Sequence, residues 1–476
     1  MVFETSAGEP ALDPSPVSPV RTRREPAALD QLPVWEGFGP LAQEPVEDPG
    51  LTALLSGLNP EQRRTVTHGD GPLLVVAGAG TGKTEVITRR IAWLVATRRA
   101  RPAEILGLTF TDKAAAEMQL RVDQLVPYGF ADTAISTFHA FGDRLIREFA
   151  FELGISPDAR VLSRAETVMF LREHLFELGL DAYLPLGDPT RFLGALATLF
   201  GRCRDEDVSP SDYRAHADAL TVSATVAITG RGPVPAAEGD DRAAGAALAE
   251  LAARQDELAS AYGRYTELLA ASGSIDFGDQ VALALRLLRE SAATLSTVRA
   301  RYRYILVDEF QDTNPVQSAL VGLLAERHRN ITVVGDDDQS IYRFRGAAIS
   351  NILEFRDRYR GARTVVLRRN YRSTAPILDA SYRLIKFNDP DRLETRVGIS
   401  KQLLPQRPST ADVPVRNHAF GTGSEESDWI AAEFRRRIDA GVHPRDLAVL
   451  VRANASADPI LRSLNLAGVP WRFAGT

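Results

Sequence analysis

A glycine-rich run that ends in Gly-Lys-Thr has the residue types best suited to chemistry. The run consists of Ala77, Gly78, Ala79, Gly80, Thr81, Gly82, Lys83 and Thr84. The backbone N–H groups of such a turn can surround phosphate oxygens, while Lys83 can reach terminal phosphates and Thr84 can ligate Mg²⁺. Ala77 departs from the strict motif, although the three glycines of the turn are kept. A loop that binds nothing is the alternative, but a chance match between a strand and a helix is rare.

Two acidic residues follow an apolar run, residues 304–307, that predicts a β-strand. Asp308 at the strand tip can hold the same Mg²⁺ as Thr84, and Glu309 can orient or deprotonate an attacking water. Paired acids also occur as an ordinary solvated turn. The phosphate loop upstream favours the catalytic interpretation, because the two motifs together supply the parts that phosphoryl transfer requires.

A third polar loop follows the apolar run at residues 331–335. In this loop Gln339 can sense a terminal phosphate, and Tyr342 and Phe344 alternate with arginines. Aromatic faces beside positive charge are typical of surfaces on which nucleic-acid bases stack. A charged loop with two core aromatic residues is the alternative interpretation.

The pattern around these motifs predicts an α/β fold with a parallel sheet. Strand, turn, helix and strand follow one another between residues 73 and 110, which is a βαβ unit. Ligands bind at the carboxyl ends of such strands. We assign the sheet domain to residues 49–148 and 274–362, and the start of a second domain to residues 363–476.

Two other segments have a different character. Apolar residues at helical spacing predict an all-helical insertion at 149–273. Within it, residues 221–246 are rich in Ala, Gly, Pro, Thr and acidic residues, which favours a mobile loop. Residues 1–48 carry many prolines and acids with little apolar periodicity, and we interpret them as a disordered leader.

Composition limits the class of protein. The single cysteine, Cys203, excludes an intrachain disulfide framework and a thiol cluster for zinc, and it suits a reducing cytoplasm. No run approaches the roughly 20 apolar residues that span a bilayer, so we expect no membrane partner. A net charge of −6 restricts any nucleic-acid contact to a local groove.

The motifs stand in the order found in superfamily 1 DNA helicases of the UvrD/Rep/PcrA type, which the chain resembles from residue 58 onward. Leu58-Asn-Pro-Glu-Gln62 is similar to the motif whose glutamine recognises adenine, so the resemblance implies that role for Gln62; a polar helix start is the alternative. Asn370-Tyr371-Arg372-Ser373 resembles motif IV. This implies that Tyr371 stacks on adenine and that Arg372 is an arginine finger on the γ-phosphate. Arginine-rich stretches are otherwise more often solvated surfaces.

Two further motifs of the family concern DNA. Residues 108–118 resemble motif Ia, which implies that Phe110 meets bases, and residues 136–141 resemble motif Ib, which places His139 on the DNA path. A core phenylalanine and a structural histidine are the alternatives. Phe344 stands where many relatives have tryptophan, which keeps a stacking face of smaller area.

The resemblance implies a RecA-like P-loop NTPase domain with a helical insertion, followed by an incomplete second RecA-like domain. It also implies an ATP- and Mg²⁺-dependent helicase that moves 3′ to 5′ on single-stranded DNA or 3′-tailed duplex DNA, in repair or recombination at the nucleoid. The motor portion of a helicase-nuclease and a catalytically idle DNA-binding fragment are the alternatives. Because later family motifs are absent, we expect residues 1–476 alone to hydrolyse ATP slowly if at all, and to depend on a complementary C-terminal chain or repair partner proteins.

Overall fold

The computed structural model of the protein describes residues 49–126, 132–229, 240–341, 350–407 and 413–474. In chain order its strands are β1 (Leu73–Ala77), β2 (Ile105–Thr109), β3 (Ala134–Thr137), β4 (Arg160–Leu162), β5 (Ser274–Asp276), β6 (Tyr304–Val307), β7 (Ile331–Gly335), β8 (Arg363–Leu367), β9 (Arg369–Asn370) and β10 (Leu404–Pro405). The leader predicted at 1–48 lies outside the described residues.

The helices of the same ranges surround these strands. They are α1 (Pro49–Leu55), α2 (Pro60–Val66), α3 (Lys83–Ala96), α4 (Asp112–Leu125), α5 (Phe138–Glu148), α6 (Ala150–Leu153), α7 (Arg164–Glu173), α8 (Leu193–Asp205), α9 (Pro210–Thr229), α10 (Asp240–Ala271), α11 (Asp279–Glu290), α12 (Ala292–Arg301), α13 (Pro315–Ala325), α14 (Ser350–Leu353), α15 (Phe355–Arg358), α16 (Ala375–Ile385), α17 (Leu393–Val397), α18 (Gly423–Asp439) and α19 (Ala457–Leu466). No helix in the described part of the chain is long and apolar enough to cross a membrane.

Six parallel strands form the central sheet, in the order β3-β2-β6-β7-β1-β8. Every residue of β1, β2, β6 and β7 is buried, as expected for a parallel sheet with both faces covered. Alternate side chains of β1 enter two apolar cores: Leu74 and Val76 enter one, and Leu73 and Val75 the other. The predicted α/β fold with a parallel sheet is confirmed. Because the strands are parallel, the loops that follow β1, β6 and β7 open at one edge.

The helical insertion has an apolar core of its own, separate from the two cores of the sheet. Phe200 on α8 stacks between Tyr262 and Tyr265 of α10, with ring centroids 5.2 and 5.0 Å away. The insertion is not wholly helical, because β4 pairs with β5 in parallel. The mobile loop predicted at 221–246 is wrong for most of its length, since α9 continues to Thr229 and α10 begins at Asp240. Alanine favours a helix there, whereas the glycines and prolines concentrate at 230–239, outside the described residues.

The predicted domain boundary at 362/363 lies just before β8. It separates β8 from the sheet to which β8 belongs, because β8 pairs with β1 along its whole length. An apolar strand has the same pattern whichever sheet it joins, so sequence could not place it. Further along, α18 and α19 pack on each other through Ala431, Ile460 and Leu464. Residues 413–474 contain no strand, and a second RecA-like domain stays a prediction.

Candidate functional site

The loop between β1 and α3 turns at two glycines. Gly80 and Gly82 have φ values of 77° and 91°, a left-handed backbone that residues with a Cβ rarely adopt. Thr81 between them is buried, and its hydroxyl donates to the carbonyl oxygen of Gly78 at 2.7 Å. Helix α3 begins directly after the loop, at Lys83. Such a turn at a helix N-terminus suits anion binding, because backbone N–H groups and the helix dipole both attract negative charge.

Gln62 on α2 holds this loop from one side. Its Nε2 donates to the carbonyl oxygen of Thr81 at 3.0 Å, and its Oε1 accepts the N–H of Asn59 at 3.1 Å in a capping box. Asn59 in turn donates to the hydroxyl of Tyr371 at 2.9 Å. A Cβ on Gly82 would lie 2.8 Å from Nε2 of Gln62 and would displace that amide from the loop. Gln62 therefore lies against the phosphate loop and near Tyr371, while its adenine contact stays a prediction.

The segment that begins with β9 contacts the other side of the loop. Nδ2 of Asn370 donates to the carbonyl oxygen of Ala79 at 2.6 Å. The backbone N–H of Tyr371 donates to the carbonyl oxygen of Gly80 at 2.9 Å. A Cβ on Gly80 would lie 2.5 Å from Cβ of Arg372. Tyr371 and Arg372 thus meet the loop. Sequence reasoning gave no role to Asn370, although its buried amide anchors the segment and also accepts the N–H of Arg372 at 2.9 Å.

The ammonium group of Lys83 connects the phosphate loop to the loops that follow β6 and β7. Its Nζ donates to Oε2 of Glu309 at 2.5 Å and to Oε1 of Gln339 at 3.1 Å. Only 11% of the Lys83 side chain is exposed, so both bonds are shielded from water. Oε2 of Glu309 also accepts Nε2 of Gln311 at 2.9 Å. Three residues from three separate sequence motifs therefore meet at one point.

Asp308 and Glu309 occupy a turn of unusual geometry at the tip of β6. Glu309 has a φ of 49° and a ψ of 46°, a left-handed conformation uncommon for residues other than glycine. This turn lets the Glu309 carboxylate reach Lys83, while the buried carboxylate of Asp308 accepts the N–H of Glu309 at 3.0 Å. Burial, together with the nearby Glu309 carboxylate, raises the pKa of Asp308 to about 7. A bound cation would favour the ionised form of such a carboxyl group.

The donor set fits a magnesium ion that is shared with phosphates. Thr84 lies in the first turn of α3, and Asp308 offers a buried carboxylate that accepts the backbone N–H of Glu309. Mg²⁺ prefers oxygen ligands and commonly takes only one or two from protein, with phosphates and water completing its coordination. Over the ranges that the structure describes, no group of three or more His, Cys, Asp and Glu is arranged to hold a metal. A cation here would therefore depend on phosphate oxygens.

Three acidic residues after β7 are neutralised by side chains far away in sequence. Lys401 contacts the carboxylates of Asp336, Asp337 and Asp338. Arg392 binds Asp338 through two nitrogens, each 2.8 Å from a carboxylate oxygen. Sequence reasoning assigned no role to either cation, because no local motif marks them.

A groove of about 620 Å³ opens between the sheet and the helical insertion. Phe110 and His139 both line it, together with Phe277, whose ring stacks on His139 at a centroid distance of 4.0 Å. Burial lowers the pKa of His139 to about 4, so the imidazole is neutral near pH 7. Phe277 is 55% exposed and its ring lines the same groove, although the sequence analysis gave DNA-binding roles only to Phe110, His139, Tyr342 and Phe344. Tyr342 and Phe344 lie outside the described residues.

Comparisons with known proteins match almost the whole of the folded part of the chain. The model of the UvrD/REP helicase N-terminal domain matches residues 58–360, and that of the UvrD-like helicase C-terminal domain matches residues 365–476. Proteins named ATP-dependent DNA helicase PcrA are 34% identical in Bacillus subtilis, 33% in Leuconostoc citreum and 30% in Staphylococcus epidermidis. Each alignment covers 89% of this chain and 51 or 52% of the relative. The chain thus spans about half the length of these curated relatives.

Proposed function

The chain belongs to the UvrD/REP helicase family, and on this premise we propose that it supplies the ATP-hydrolysing core of an ATP-dependent DNA helicase. The observation that carries the proposal is the convergence of Lys83, Glu309 and Gln339 at the carboxyl edge of a parallel sheet. An ammonium, a carboxylate and an amide are the groups needed to bind phosphate, to activate water and to sense the terminal phosphate. The adjoining glycine loop provides the anion site.

Each group then has a part in phosphoryl transfer. Lys83 binds the β- and γ-phosphates, which compete with Glu309 for the same ammonium group. The carboxylate of Glu309, once released from that ion pair, can orient the attacking water and accept its proton. Thr84 and Asp308 would hold Mg²⁺, and a bound Mg²⁺ would supply positive charge beside the phosphate oxygens. The second N–H of the Gln339 amide nitrogen donates to the γ-phosphate, while the first is bonded to Asp336 and the amide oxygen accepts from Lys83.

The adenine and the transition-state charge are handled by residues on the two sides of the loop. Gln62 recognises the adenine edge and Tyr371 stacks on its face; the hydrogen bond from Asn59 to the Tyr371 hydroxyl supports this, because it brings the two recognition residues together. Arg372 neutralises charge that develops on the γ-phosphate. Its Cβ lies beside Gly80, within the phosphate loop, which supports that role.

We further propose that single-stranded DNA occupies the groove lined by Phe110, His139 and Phe277. Aromatic and neutral imidazole rings offer stacking faces to bases of any sequence. Tyr342 and Phe344, whose sequence pattern predicts stacking on bases, are proposed to contact the same DNA. The substrate is then single-stranded DNA or 3′-tailed duplex DNA, with movement 3′ to 5′, in repair or recombination at the nucleoid of the cytoplasm.

The test compares Lys83→Ala with Lys386→Ala in the full-length protein. Lys386 is an exposed lysine whose ammonium lies over the ring of Tyr382, so it controls for loss of a positive charge at the surface. We expect ATP hydrolysis stimulated by single-stranded DNA in the parent and in Lys386→Ala, and its loss in Lys83→Ala. Equal hydrolysis in the two variants would refute the assignment of the site.

The proposed direction of movement along DNA is tested by a separate measurement. Displacement of a labelled strand is compared for duplexes with a 3′ or a 5′ single-stranded tail, with ATP present. Unwinding of the 3′-tailed duplex alone supports the proposed polarity, and unwinding of the 5′-tailed duplex alone reverses it. DNA binding without ATP hydrolysis would instead favour an idle DNA-binding fragment.

A further inference from the structure

The strongest cluster of buried charge outside the phosphate loop lies just behind Gln339. Lys401, on the segment that connects α17 to β10, places its Nζ 2.6 Å from Asp336 and 2.8 Å from Asp338, and also contacts Asp337. Its side chain is only 5% exposed. Burial alone would lower the pKa of Lys401, but the three carboxylates raise it above the ordinary value. The ammonium is therefore charged and held on three sides.

A continuous path of hydrogen bonds leads from this ammonium to the phosphate loop. Oδ1 of Asp336 pairs with Lys401, while Oδ2 of the same carboxylate accepts Nε2 of Gln339 at 2.8 Å. Because the Gln339 nitrogen is committed to Asp336, its oxygen points to Lys83, which donates to it at 3.1 Å. The orientation of the Gln339 amide thus depends on the carboxylate that Lys401 holds.

We propose that Lys401 is a positioning residue for Gln339, through which the chain segment beyond motif IV sets the geometry of the γ-phosphate contact. This inference rests on the proposed function. Lys401 does not itself reach the nucleotide: it fixes Asp336, and Asp336 fixes the amide. Arg392 holds the neighbouring Asp338 in the same cluster, so the two cations secure the loop after β7 from outside the central sheet.

The test is a double-mutant cycle in the full-length protein between Lys401→Met and Gln339→Ala. Displacement of a catalytic group by roughly 1 Å can cost about 100-fold in rate, so we expect Lys401→Met to lower kcat for ATP hydrolysis by about 10- to 100-fold. Once Gln339 is already alanine, the same substitution should change kcat less than about twofold, because the residue it positions is gone. Affinity for a non-hydrolysable ATP analogue should be nearly unchanged by Lys401→Met.

A second pair of variants protects the test against misfolding. Lys401→Met alone leaves three buried carboxylates short of a cation, whereas Asp337→Asn with Lys401→Met removes one charge of each sign. The difference in kcat between this double variant and Asp337→Asn alone then measures the effect of the Lys401 ammonium. Lys401→Arg should restore part of kcat, and Lys386→Met serves as the exposed control.

The outcomes separate the inference from its premise. Equal loss of kcat from Lys401→Met in the parent and in the Gln339→Ala background refutes the positioning role and indicates general destabilisation. The positioning role is also refuted if kcat is the same in Asp337→Asn and in the double variant Asp337→Asn with Lys401→Met. If the parent shows no hydrolysis that depends on Lys83, the proposed function itself fails and the inference with it.

Discussion

Substitution of Gly80 by alanine tests whether the segment from Asn370 to Arg372 holds the phosphate loop. The new Cβ would lie 2.5 Å from Cβ of Arg372 and 3.0 Å from Nδ2 of Asn370. Carbon atoms in contact normally stay about 3.5 to 4 Å apart, so the two chain segments must separate by roughly 1 Å. The atom in the way is a Cβ fixed to the backbone, and rotation of a side chain cannot relieve the overlap.

The free-energy cost of Gly80→Ala has three parts. A left-handed backbone costs an alanine roughly 1 to 2 kcal/mol, and an overpacked contact typically a further 1 to 3 kcal/mol. Separation also weakens the bonds from Asn370 to Ala79 and from Tyr371 to Gly80, each worth about 0.5 to 1.5 kcal/mol. Opening of the loop relieves the overlap but sacrifices these two hydrogen bonds. The loss then falls on ATP binding, where each 1.4 kcal/mol is about tenfold in affinity.

Gly179→Ala provides the matched control. Gly179 has a φ of 68°, and its added Cβ would meet no atom within 4 Å, so it bears the backbone cost without the overlap. Urea denaturation measures the free energy of unfolding, and titration with a fluorescent ATP analogue measures affinity. We expect Gly80→Ala to weaken ATP binding at least about tenfold and Gly179→Ala to leave it unchanged. Equal ATP affinity in the two variants would refute the contact between the loop and this segment.

Three further results are expected. Phe110→Ala and Phe277→Ala should each weaken binding of single-stranded DNA by about 1 to 3 kcal/mol in a fluorescence anisotropy titration, whereas exposed Phe151→Ala should not; equal affinities would place both rings outside the DNA path. Arg372→Ala should lower kcat by roughly 10³-fold or more, and a kcat within twofold of the parent would exclude an arginine finger. Burial raises the pKa of Asp205 to about 7, so folding binds a proton and stability falls as the pH rises from about 4 to 7. Asp205→Asn should therefore stabilise the protein by on the order of 1 to 3 kcal/mol at pH 8 and by little at pH 4. If Asp205→Asn shifted the melting temperature equally at pH 4 and pH 8, the prediction would be wrong.

Local patterns were enough to predict the sheet and the groups that converge on it. The alternation of strands and helices and the glycine loop depend on residues close in sequence, and the central strands are continuous apolar runs that leave little choice of environment. The positions of Lys83 and Glu309 follow from topology, because parallel strands end at the same edge. Sequence could therefore predict that these two side chains meet.

Contacts that depend on long-range packing could not be predicted in this way. Asn370 binds the carbonyl of Ala79, 291 residues earlier in the chain, and nothing in its neighbourhood distinguishes it from a turn asparagine. The pairing of β8 with β1 could not be predicted either, because the whole fold determines which strands pair. The loop predicted at 221–246 failed for a different reason: its average composition concealed a separation between alanine-rich ends and a centre rich in glycine and proline.

The distribution of basic residues sets two lysines apart from the arginines around them. The chain has four lysines against a total of 56 basic residues, yet Lys83 is paired with Glu309 of the loop after β6, and Lys401 is buried among three carboxylates of the loop after β7. An ammonium is a compact charge with donors in three directions, so Lys401 can contact three carboxylates through a single nitrogen. Arg392 also meets three carboxylates, but they are spread around a planar guanidinium: Asp338 accepts from two nitrogens, Glu394 lies 2.9 Å from Nη2 and Asp389 lies 3.5 Å from Nη1. Lys401 therefore brings three anions together at one point, whereas Arg392 holds its anions along the edges of a plane.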